Sequence, residues 1–316
     1  MRKYLLTESG NFYKANLHCH STVSDGKLTP EEIKKHYMEH GYSVVAYTDH
    51  NVLVSHSELC SSDFVALNGY EYDALDEKNG RPLDHVKTCH VCLIATEPDN
   101  IEKPDIARVY TPEHISTLMT EGRRRGFFVT YNHPAWSFED YRDYSEYHGM
   151  HAMEICNYSS YVTGMYEYDP HVYDELLREG RRIYCIGADD NHNDYPMDSG
   201  KCDSFGAFTM IKAEKLEYRA VTKALLDGNF YASQGPEIKA LWIENNKIHV
   251  ETENAAAIVF NTFGRRRFAQ YPDGTAPLNS AEFEVRKEDI YVRVTVVDKF
   301  GKRANTNAYF TDEIID

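Results

Sequence analysis

Short apolar runs recur along the first part of the chain, and amphipathic segments lie between many of them. Short apolar runs are typical of buried strands, whereas apolar positions three and four residues apart indicate helices. The predicted strands are residues 14–19, 44–47, 64–67, 90–95, 127–131, 152–156, 183–187 and 205–211, and the predicted helices are residues 29–40, 111–125, 169–179 and 216–226. This alternation predicts βα units on a mostly parallel sheet, and seven or eight such units favour closure into a barrel.

Three of these helices have recognisable starts. Thr29-Pro30 places a capping hydroxyl before a proline at the first helical position, and Thr111-Pro112 and Asp169-Pro170 open two further helices. Gly41 lies just past the end of the first helix, where a glycine commonly terminates helical structure. These signals place the helices between the predicted strands.

The pattern changes near residue 233, after which short strand-like runs follow one another without a helix. The predicted strands are residues 240–243, 247–251, 255–263, 281–285, 291–297 and 304–310. Asn245-Asn246 joins the first two as a hairpin. We therefore predict an α/β barrel over residues 1–232 and an all-β C-terminal domain over residues 233–316. For the run Arg265-Arg266-Arg267, a solvated hairpin tip is favoured over a phosphate clamp.

Composition limits the classes of protein to which the chain can belong. An apolar fraction of 42% over 316 residues is typical of a globular protein, and no apolar run approaches membrane-spanning length. The first residues turn polar too soon for a signal peptide, so the cytoplasm is the expected location. The net charge of −16 disfavours binding to long nucleic acid or to anionic membrane.

The seven cysteines do not indicate a disulfide framework, because their number is odd and they are scattered through predicted strands. Cys89 and Cys92 have the C-x-x-C spacing of some metal and redox sites. Residues three apart on a strand face opposite sides, so these two thiols would not chelate one ion. Buried free thiols are the expected state.

The distinctive chemistry begins with His18 and His20, two residues apart at the end of a predicted strand. Their side chains should point to the same side of that strand. Asp25 follows on a turn that Gly26 allows. Taken alone, His-x-His is a weak signal, because a strand can carry two histidines for packing.

Imidazole and carboxylate groups recur after other apolar runs, and the carboxyl ends of barrel strands converge on one mouth. His90 is the exception, since it lies at the start or middle of its predicted strand. Nine nitrogen and oxygen ligands are too many for one transition metal and enough for two or three ions of zinc, manganese or iron. The candidate metal ligands are His18, His20, Asp25, His50, Glu71, His90, His133, Asp190 and His192.

The arrangement resembles the PHP (polymerase and histidinol phosphatase) family over about residues 14–235. The matching motifs are His18-x-His20 with Asp25, Thr48-Asp49-His50, Glu71, His90, Asn132-His133-Pro134 and Asp190-x-His192. The resemblance implies a distorted (β/α)7 barrel, in agreement with the predicted strand count. The C-terminal part is similar to the β-rich tail of a bacterial subgroup of small PHP phosphoesterases.

The resemblance also implies how the ligands are shared among three metals. The first metal would be held by His18, His20, Glu71 and Asp190, the second by bridging Glu71 with His90 and His133, and the third by Asp25, His50 and His192.

One departure from the family pattern concerns the last motif, because Gly187-Ala188 is followed by two aspartates. The Asp-x-His spacing selects Asp190, whereas the distance from the glycine selects Asp189. Asp190 is preferred because residues i and i+2 share a face. Asp49 is expected to orient a ligand histidine rather than to bind metal.

The function implied is metal-dependent hydrolysis of a small phosphomonoester, such as a nucleotide, sugar or amino-alcohol phosphate. Clustered divalent ions would lower the pKa of a shared water to supply hydroxide, and Glu71, Asp190 and His192 are the predicted catalytic residues. The alternatives are a 5′→3′ exonuclease on short oligonucleotides and a non-catalytic, metal-stabilised binding module. Substrate recognition is expected in loops at residues 73–84, 98–110 and 136–150.

Overall fold

The computed structural model describes residues 2–76, 82, 85–274 and 276–315. The strands are β1 (Lys3–Tyr4), β2 (Asn11–Asn16), β3 (Val44–Tyr47), β4 (Val65–Leu75), β5 (Thr88–Ala95), β6 (Phe127–Tyr131), β7 (Ala152–Asn157), β8 (Tyr184–Ala188), β9 (Phe208–Ala213), β10 (Phe230–Ser233), β11 (Ile238–Glu244), β12 (Lys247–Ala255), β13 (Ala257–Thr262), β14 (Phe268–Gln270), β15 (Leu278–Glu284), β16 (Tyr291–Val297), β17 (Arg303–Thr306) and β18 (Tyr309–Phe310). The helices are α1 (Pro30–Glu39), α2 (Pro112–Arg124), α3 (Tyr141–Tyr144), α4 (Tyr158–Val162), α5 (Pro170–Arg178), α6 (Tyr218–Leu226) and α7 (Thr311–Ile314). None of the helices in this part of the chain is long and apolar enough to cross a membrane.

One large sheet runs through most of the molecule. Its strand order is β14, β13, β16, β17, β10, β9, β2, β3, β4, β5, β6, β7 and β8, and β18 pairs with β16. β2, β3 and β4 run parallel to one another, as do β6, β7 and β8. The chain therefore has a mixed α/β fold whose large sheet is rich in parallel strands.

Like β9, which runs antiparallel to β2, β5 departs from the mostly parallel arrangement expected from the sequence. It runs antiparallel to both β4 and β6, and Leu75 of β4 pairs with Thr88 of β5. Parallel neighbours need a crossover of about a dozen residues or more, usually a helix, and the sequence predicts no helix here. The chain turns back beside β4 instead, so β5 begins at the edge where its neighbours end.

The sheet curls until β8 meets β9. The Thr209 hydroxyl on β9 donates to the carbonyl oxygen of Gly187 on β8 at 2.9 Å and accepts from its N–H at 3.2 Å. One apolar cluster takes side chains from every strand between β2 and β9, including Leu67, Phe128 and Ile186. Because all of these strands contribute to one apolar cluster, the sheet must curve around that cluster. α6 contributes to the same cluster.

Several strands differ in extent from the prediction, including β2, which ends at Asn16 rather than at residue 19, and at two others the physical reason is visible. The run at residues 205–211 begins its ladder only at Phe208, because the N–H groups of residues 205, 206 and 207 donate to the Asp189 carboxylate instead. The run at residues 64–67 continues to Leu75, so Asp73 lies on a strand rather than in the expected loop. The rest of that loop lies largely outside the described residues.

The predicted helix starts are confirmed at α1 and α2. The Thr29 hydroxyl accepts from the N–H of Glu32, whose carboxylate accepts from the N–H of Thr29, which forms a capping box. Thr111 likewise accepts from the N–H of His114. At α5 the Asp169 side chain makes no capping bond. Its carboxylate accepts from the N–H of Ala135 at 3.4 Å instead.

The C-terminal part contributes to two sheets. The predicted hairpin forms between β11 and β12, and Asn245 and Asn246 both adopt left-handed φ values, 52° and 58°. These strands belong to a four-stranded sheet in the order β1, β11, β12, β15. The sequence did not indicate that the N-terminal strand β1 joins it. β13, β14, β16 and β17 instead extend the large sheet, and an apolar core lies between the two sheets.

A buried ion pair joins the C-terminal part to α5. The Arg293 side chain on β16 donates to the Asp174 carboxylate on α5 at 2.8 Å. Arg267 reaches the other oxygen of Asp174 at 3.3 Å, and Arg266 pairs with Asp289. The predicted hairpin tip is confirmed, because the three arginines lie between the antiparallel strands β13 and β14, where Arg265 and Arg267 are exposed and Arg266 is half-buried. Arg266 and Arg267 also make ion pairs within the fold.

Candidate metal centre

The nine predicted metal ligands lie at one end of the curled sheet. His18, His50 and His133 follow the ends of β2, β3 and β6, and Asp190 and His192 follow β8. Glu71 lies within β4, and its backbone forms an isolated parallel β-bridge with that of His50. His90 is near the start of β5, and that start reaches the same edge because β5 runs antiparallel. Strand direction thus explains the one ligand whose position did not fit the sequence pattern.

Glu71 lies at the centre of the cluster. Its carboxylate is 1% exposed, and both oxygens face histidine nitrogens. The distances from Glu71 are 3.1 Å to His18 Nε2, 3.3 Å to His20 Nε2, 3.2 Å to His50 Nδ1, 2.9 Å to His90 Nδ1 and 3.4 Å to His133 Nε2. Five imidazoles therefore converge on one buried carboxylate.

Two aspartates complete the cluster. Asp190 Oδ1 lies 3.1 Å from both His18 Nε2 and His20 Nε2. Asp25, which is half-exposed, lies 3.5 Å from His20 Nδ1, 3.8 Å from His50 Nε2 and 3.6 Å from His192 Nε2. All nine side chains thus form one continuous set of close contacts.

The side chains whose ligand atoms lie close enough to share one ion fall into overlapping groups. These groups are His18, His20, Glu71 and Asp190; His20, Asp25, His50 and His192; His50, Glu71 and His90; and His18, His133 and Glu154. The first is the set that the family resemblance implies for one metal, and the second adds His20 to another implied set. The third implied set differs, because Glu71 and His90 are grouped with His50 rather than with His133.

Sequence reasoning missed Glu154. Its Oε1 lies 2.8 Å from His18 Nδ1, and its Oε2 accepts from the N–H of His133 at 3.1 Å. With Nδ1 of His18 donating to Glu154, Nε2 of that ring is left facing Glu71 and Asp190. The one feature of the sequence that could have indicated Glu154 is that it is the only acidic residue in the apolar run at residues 152–156.

The two adjacent aspartates have different surroundings. Asp189 is buried and accepts from the N–H groups of Phe205, Gly206 and Ala207 and from the Tyr37 hydroxyl, at 2.8 to 2.9 Å. Asp190 has a left-handed φ of 57° and turns its carboxylate into the cluster. A left-handed non-glycine residue is typical of backbone held in place by its surroundings at a functional site.

The Asp49 carboxylate makes no hydrogen bond or ion pair with a histidine among the described residues, so the role expected for it is wrong. It accepts from the N–H of Ser21 at 2.8 Å and from the N–H and hydroxyl of Ser24 at 3.1 and 2.8 Å. These bonds fix the turn between His20 and Asp25. Asp49 therefore positions Asp25 rather than a histidine.

The cluster opens into a cavity of about 290 Å3. Beyond the ligands, its walls include Trp136, Val162, Tyr195 and Lys201. The Trp136 ring lies 5.0 Å from the ring of His133, edge to face. Trp136 belongs to one of the loops predicted to recognise substrate, whereas the loop that carries Tyr195 and Lys201 was not predicted.

Burial and opposite charge act against each other in this cluster. Burial alone would raise the pKa of Glu71, but His18, His90 and His50 hold it well below its ordinary value. Burial would lower the pKa of His20, but the neighbouring carboxylates of Asp190 and Glu71 raise it to about 9. Without a metal ion, protonated histidines therefore balance the buried carboxylates.

Several buried atoms of the cluster lack a hydrogen-bond partner and could coordinate a divalent cation. Nδ1 of His20, Nδ1 of His50 and Oδ1 of Asp190 are buried and make no hydrogen bond within the described part of the chain. Unpaired buried acceptors are costly, and a cation would satisfy them. Imidazole and carboxylate together suit zinc, manganese and iron. The residues present therefore fit a centre of divalent transition metals.

Comparison with known proteins found distant structural likenesses. Neither protein-family models nor curated proteins gave a match. Similar solved structures include a two-domain protein with a predicted PHP-like metal-dependent phosphoesterase from Bacteroides vulgatus, at 14% identity and a TM-score of 0.47 over 99% of this chain and 90% of that one.

Two further likenesses cover less of the chain. One is a protein assigned as a metal-dependent phosphoesterase from Bifidobacterium adolescentis, at 15% identity, a TM-score of 0.39 and coverage of 62% and 92% of the two chains. The other is an amidohydrolase from Chromobacterium violaceum with bound sulfate and no metal. It has 15% identity and a TM-score of 0.37, and the match covers 56% of this chain and 87% of that one. These likenesses are distant, so function is inferred from the residues of the site.

Proposed function

We propose that this chain is a metal-dependent hydrolase of the PHP family that cleaves a small phosphomonoester. The observation that carries the proposal is the buried Glu71 carboxylate with five histidine nitrogens within 3.4 Å. Buried charges of this density are rare unless they bind metal. The order of the six sequence motifs supports the family, and the curled, parallel-rich sheet supports a distorted (β/α)7 barrel.

The nine clustered residues are the proposed ligands of two or three divalent ions. Glu71 is the proposed bridge, because it is a member of two of the groups whose ligand atoms lie close together. His18 and Asp190 belong to one of these groups, and His50 and His90 belong to another. Glu154 would act behind the ligands by fixing the orientation of the His18 ring.

When bound, the ions would supply a water of lowered pKa and bind the phosphoryl oxygens. The protein supplies orientation around them. Asp49 fixes the turn that presents Asp25 to the cluster. Nδ1 of His192 donates to the carbonyl oxygen of Asp190 at 3.0 Å, which leaves Nε2 facing the cavity. The lone pair of Nε2 is thus available to a metal ion, as proposed for this residue.

The size of the site favours a small substrate. The cavity is about 290 Å3, close to the lower end of the range for small-molecule sites, roughly 300 Å3. A net charge of −16 leaves little basic surface for a polyanion. We propose a cytoplasmic enzyme with a catalytic part over residues 1–232 and a β-rich tail over residues 233–316.

The proposal is tested with two chromogenic esters of the same leaving group. Protein loaded with manganese should hydrolyse p-nitrophenyl phosphate, and EDTA should abolish this activity. Hydrolysis of p-nitrophenyl acetate should be slower, because that ester lacks the phosphoryl oxygens that the site would bind. No metal-dependent cleavage of the phosphate would reject phosphoester hydrolysis, and metal-dependent cleavage of the acetate alone would indicate a carboxylic-ester hydrolase instead.

A further inference from the structure

The loop between β8 and β9 brings a lysine to the wall of the cavity. Residues 194–202 of this loop leave the sheet directly after His192 and Asn193. The Asp203 carboxylate accepts from the N–H of His192 at 2.7 Å and from that of Asn193 at 3.0 Å. The Asn193 amide also donates to the Ser204 hydroxyl at 2.7 Å. Both ends of the loop are therefore held together immediately behind a proposed metal ligand.

Lys201 is held above the base of this loop. Its backbone N–H donates a hydrogen bond to the Ser199 hydroxyl at 3.2 Å. Its ammonium lies 4.7 Å from the centre of the Tyr195 ring, which belongs to the other end of the loop. A contact between a cation and an aromatic face restrains the ammonium without neutralising its charge. The loop thus presents a positive charge to the cavity.

Among the described residues, the Lys201 ammonium has no carboxylate partner, whereas Lys27 and Arg108 are paired. Lys27 lies 3.4 Å from Asp194, and Arg108 is paired with Asp73. Lys201 makes no ion pair with any residue that the structure describes, and it is the only lysine or arginine among the described residues that line this cavity. In a chain of net charge −16, Lys201 is thus a solvent-exposed cation on the wall of the cavity, available to an anionic substrate.

We propose that Lys201 binds the phosphoryl group of the substrate and so sets the specificity of the site for phosphate dianions. The inference rests on the proposed function. A lysine ammonium is a common point-charge partner of phosphate, and a small cavity keeps it near a phosphoryl group held over the ligand cluster. Tyr195 would act as a positioning residue by holding the ammonium in place.

The test replaces Lys201 by methionine and by arginine in the full chain loaded with manganese. The control is Lys299→Met, because the Lys299 ammonium also lies over an aromatic ring, 5.0 Å from Phe300, but does not line this cavity. For Lys201→Met we expect the KM for p-nitrophenyl phosphate and the inhibition constant of inorganic phosphate to rise about tenfold or more. The kcat should change much less, because the contact is present in both the ground state and the transition state.

Lys201→Arg should recover most of the affinity, and Lys299→Met should match the wild type. Metal content by elemental analysis should be the same in all four proteins. Wild-type KM and phosphate inhibition in Lys201→Met would overturn the inference, and so would a loss of bound metal, which would indicate a structural role.

Failure of the proposed function has a different signature. If the wild-type protein hydrolyses no phosphate ester, calorimetry with inorganic phosphate still compares the metal-loaded wild type with Lys201→Met. Weaker phosphate binding by the variant would support phosphate binding by Lys201, although the proposed hydrolase function had failed. Equal binding, or no phosphate binding by either protein, would overturn it.

Discussion

Asp189 and Asp190 are adjacent in the chain, yet their carboxylates have unrelated surroundings. Asp189 accepts hydrogen bonds from three backbone N–H groups and from the Tyr37 hydroxyl, so it holds the start of β9 against the end of β8. Asp190 contacts His18 and His20 within the cluster. The first aspartate is therefore expected to serve stability and the second to serve metal binding.

Substitution by asparagine should separate these roles. Asp190→Asn should lose bound metal and hydrolysis of p-nitrophenyl phosphate, and its metal-free form should also be less stable, because the carboxylate lies beside buried histidines that balance its charge. Asp189→Asn should lose about 1 to 3 kcal/mol of stability, because an amide cannot accept every bond that the carboxylate accepts. Denaturant unfolding and elemental analysis of both variants check this prediction. The reverse pattern would make Asp189 the ligand.

At the level of residues, the sequence indicated all nine members of the cluster but not their neighbours. Motif spacing identifies ligands because each follows the end of an apolar run or matches a family motif. Glu154 follows no such rule, since it lies inside a buried strand and its partner His18 is far away in the sequence. The contacts of Asp49 were also unpredictable, because they depend on how the turn after His20 folds back.

Among the elements, strand direction is what the sequence predicted least well. The hydrophobic pattern located β5 but not its antiparallel course, since apolar runs look alike in either direction. His90 would lie away from the other ligands if β5 ran parallel to its neighbours. The hairpin of β11 and β12 was predictable because its turn residues are local. The pairing of β1 with β11 was not, because it joins residues that are more than 200 positions apart.

The contact between α5 and the C-terminal part should contribute strongly to stability. Arg293 is almost entirely buried, and the Asp174 carboxylate beside it raises its pKa even though burial acts in the opposite direction. Asp174→Ala should therefore cost about 3 to 5 kcal/mol, because it leaves a buried guanidinium unpaired.

The matched control is Asp312→Ala, which breaks an exposed pair with Arg182 and should cost at most about 1 kcal/mol. Chemical denaturation measures both, and metal content should stay unchanged in both variants. A cost for Asp174→Ala no larger than that of the control would show that α5 and the C-terminal part do not depend on this pair.

The loop that follows His133 is anchored by a buried carboxylate. Glu139 accepts from the hydroxyls of Tyr110 and Tyr131 at 3.0 and 2.7 Å and from that of Tyr147. Burial raises the pKa of Glu139 to about 7, although the tyrosine hydroxyls act to lower it. Because the folded pKa exceeds the unfolded one, the stabilisation is present at low pH and is lost as the pH rises through about 7.

Glu139→Gln removes this titration while keeping the shape of the side chain. Between pH 5 and pH 8, the free energy of unfolding of the variant relative to wild type should rise by roughly 2 to 3 kcal/mol. Urea unfolding of both proteins at several pH values measures the difference. A difference that does not vary with pH would show that Glu139 titrates normally in the folded protein.

For the whole molecule, net charge and cavity size together predict the size of the substrate. A polymer-binding enzyme contacts several phosphates and loses affinity steeply as salt increases. A mononucleotide or similar phosphomonoester should therefore be cleaved with a higher kcat/KM than a 5′-phosphorylated oligonucleotide. Its KM should change only a few-fold, roughly, between low and physiological salt. A higher kcat/KM for the oligonucleotide, together with a KM that rises steeply with salt, would favour the exonuclease.

We infer that the histidines and carboxylates around Glu71 bind a small cluster of catalytic metal ions. Titration of metal-free protein with manganese, followed by hydrolysis of p-nitrophenyl phosphate, tests it most directly. We predict no activity without metal, saturation at about two to three equivalents, and almost no activity in Glu71→Gln at any equivalence despite a folded circular-dichroism spectrum. Activity that is independent of manganese, saturation below one equivalent, or wild-type activity in Glu71→Gln would contradict the claim.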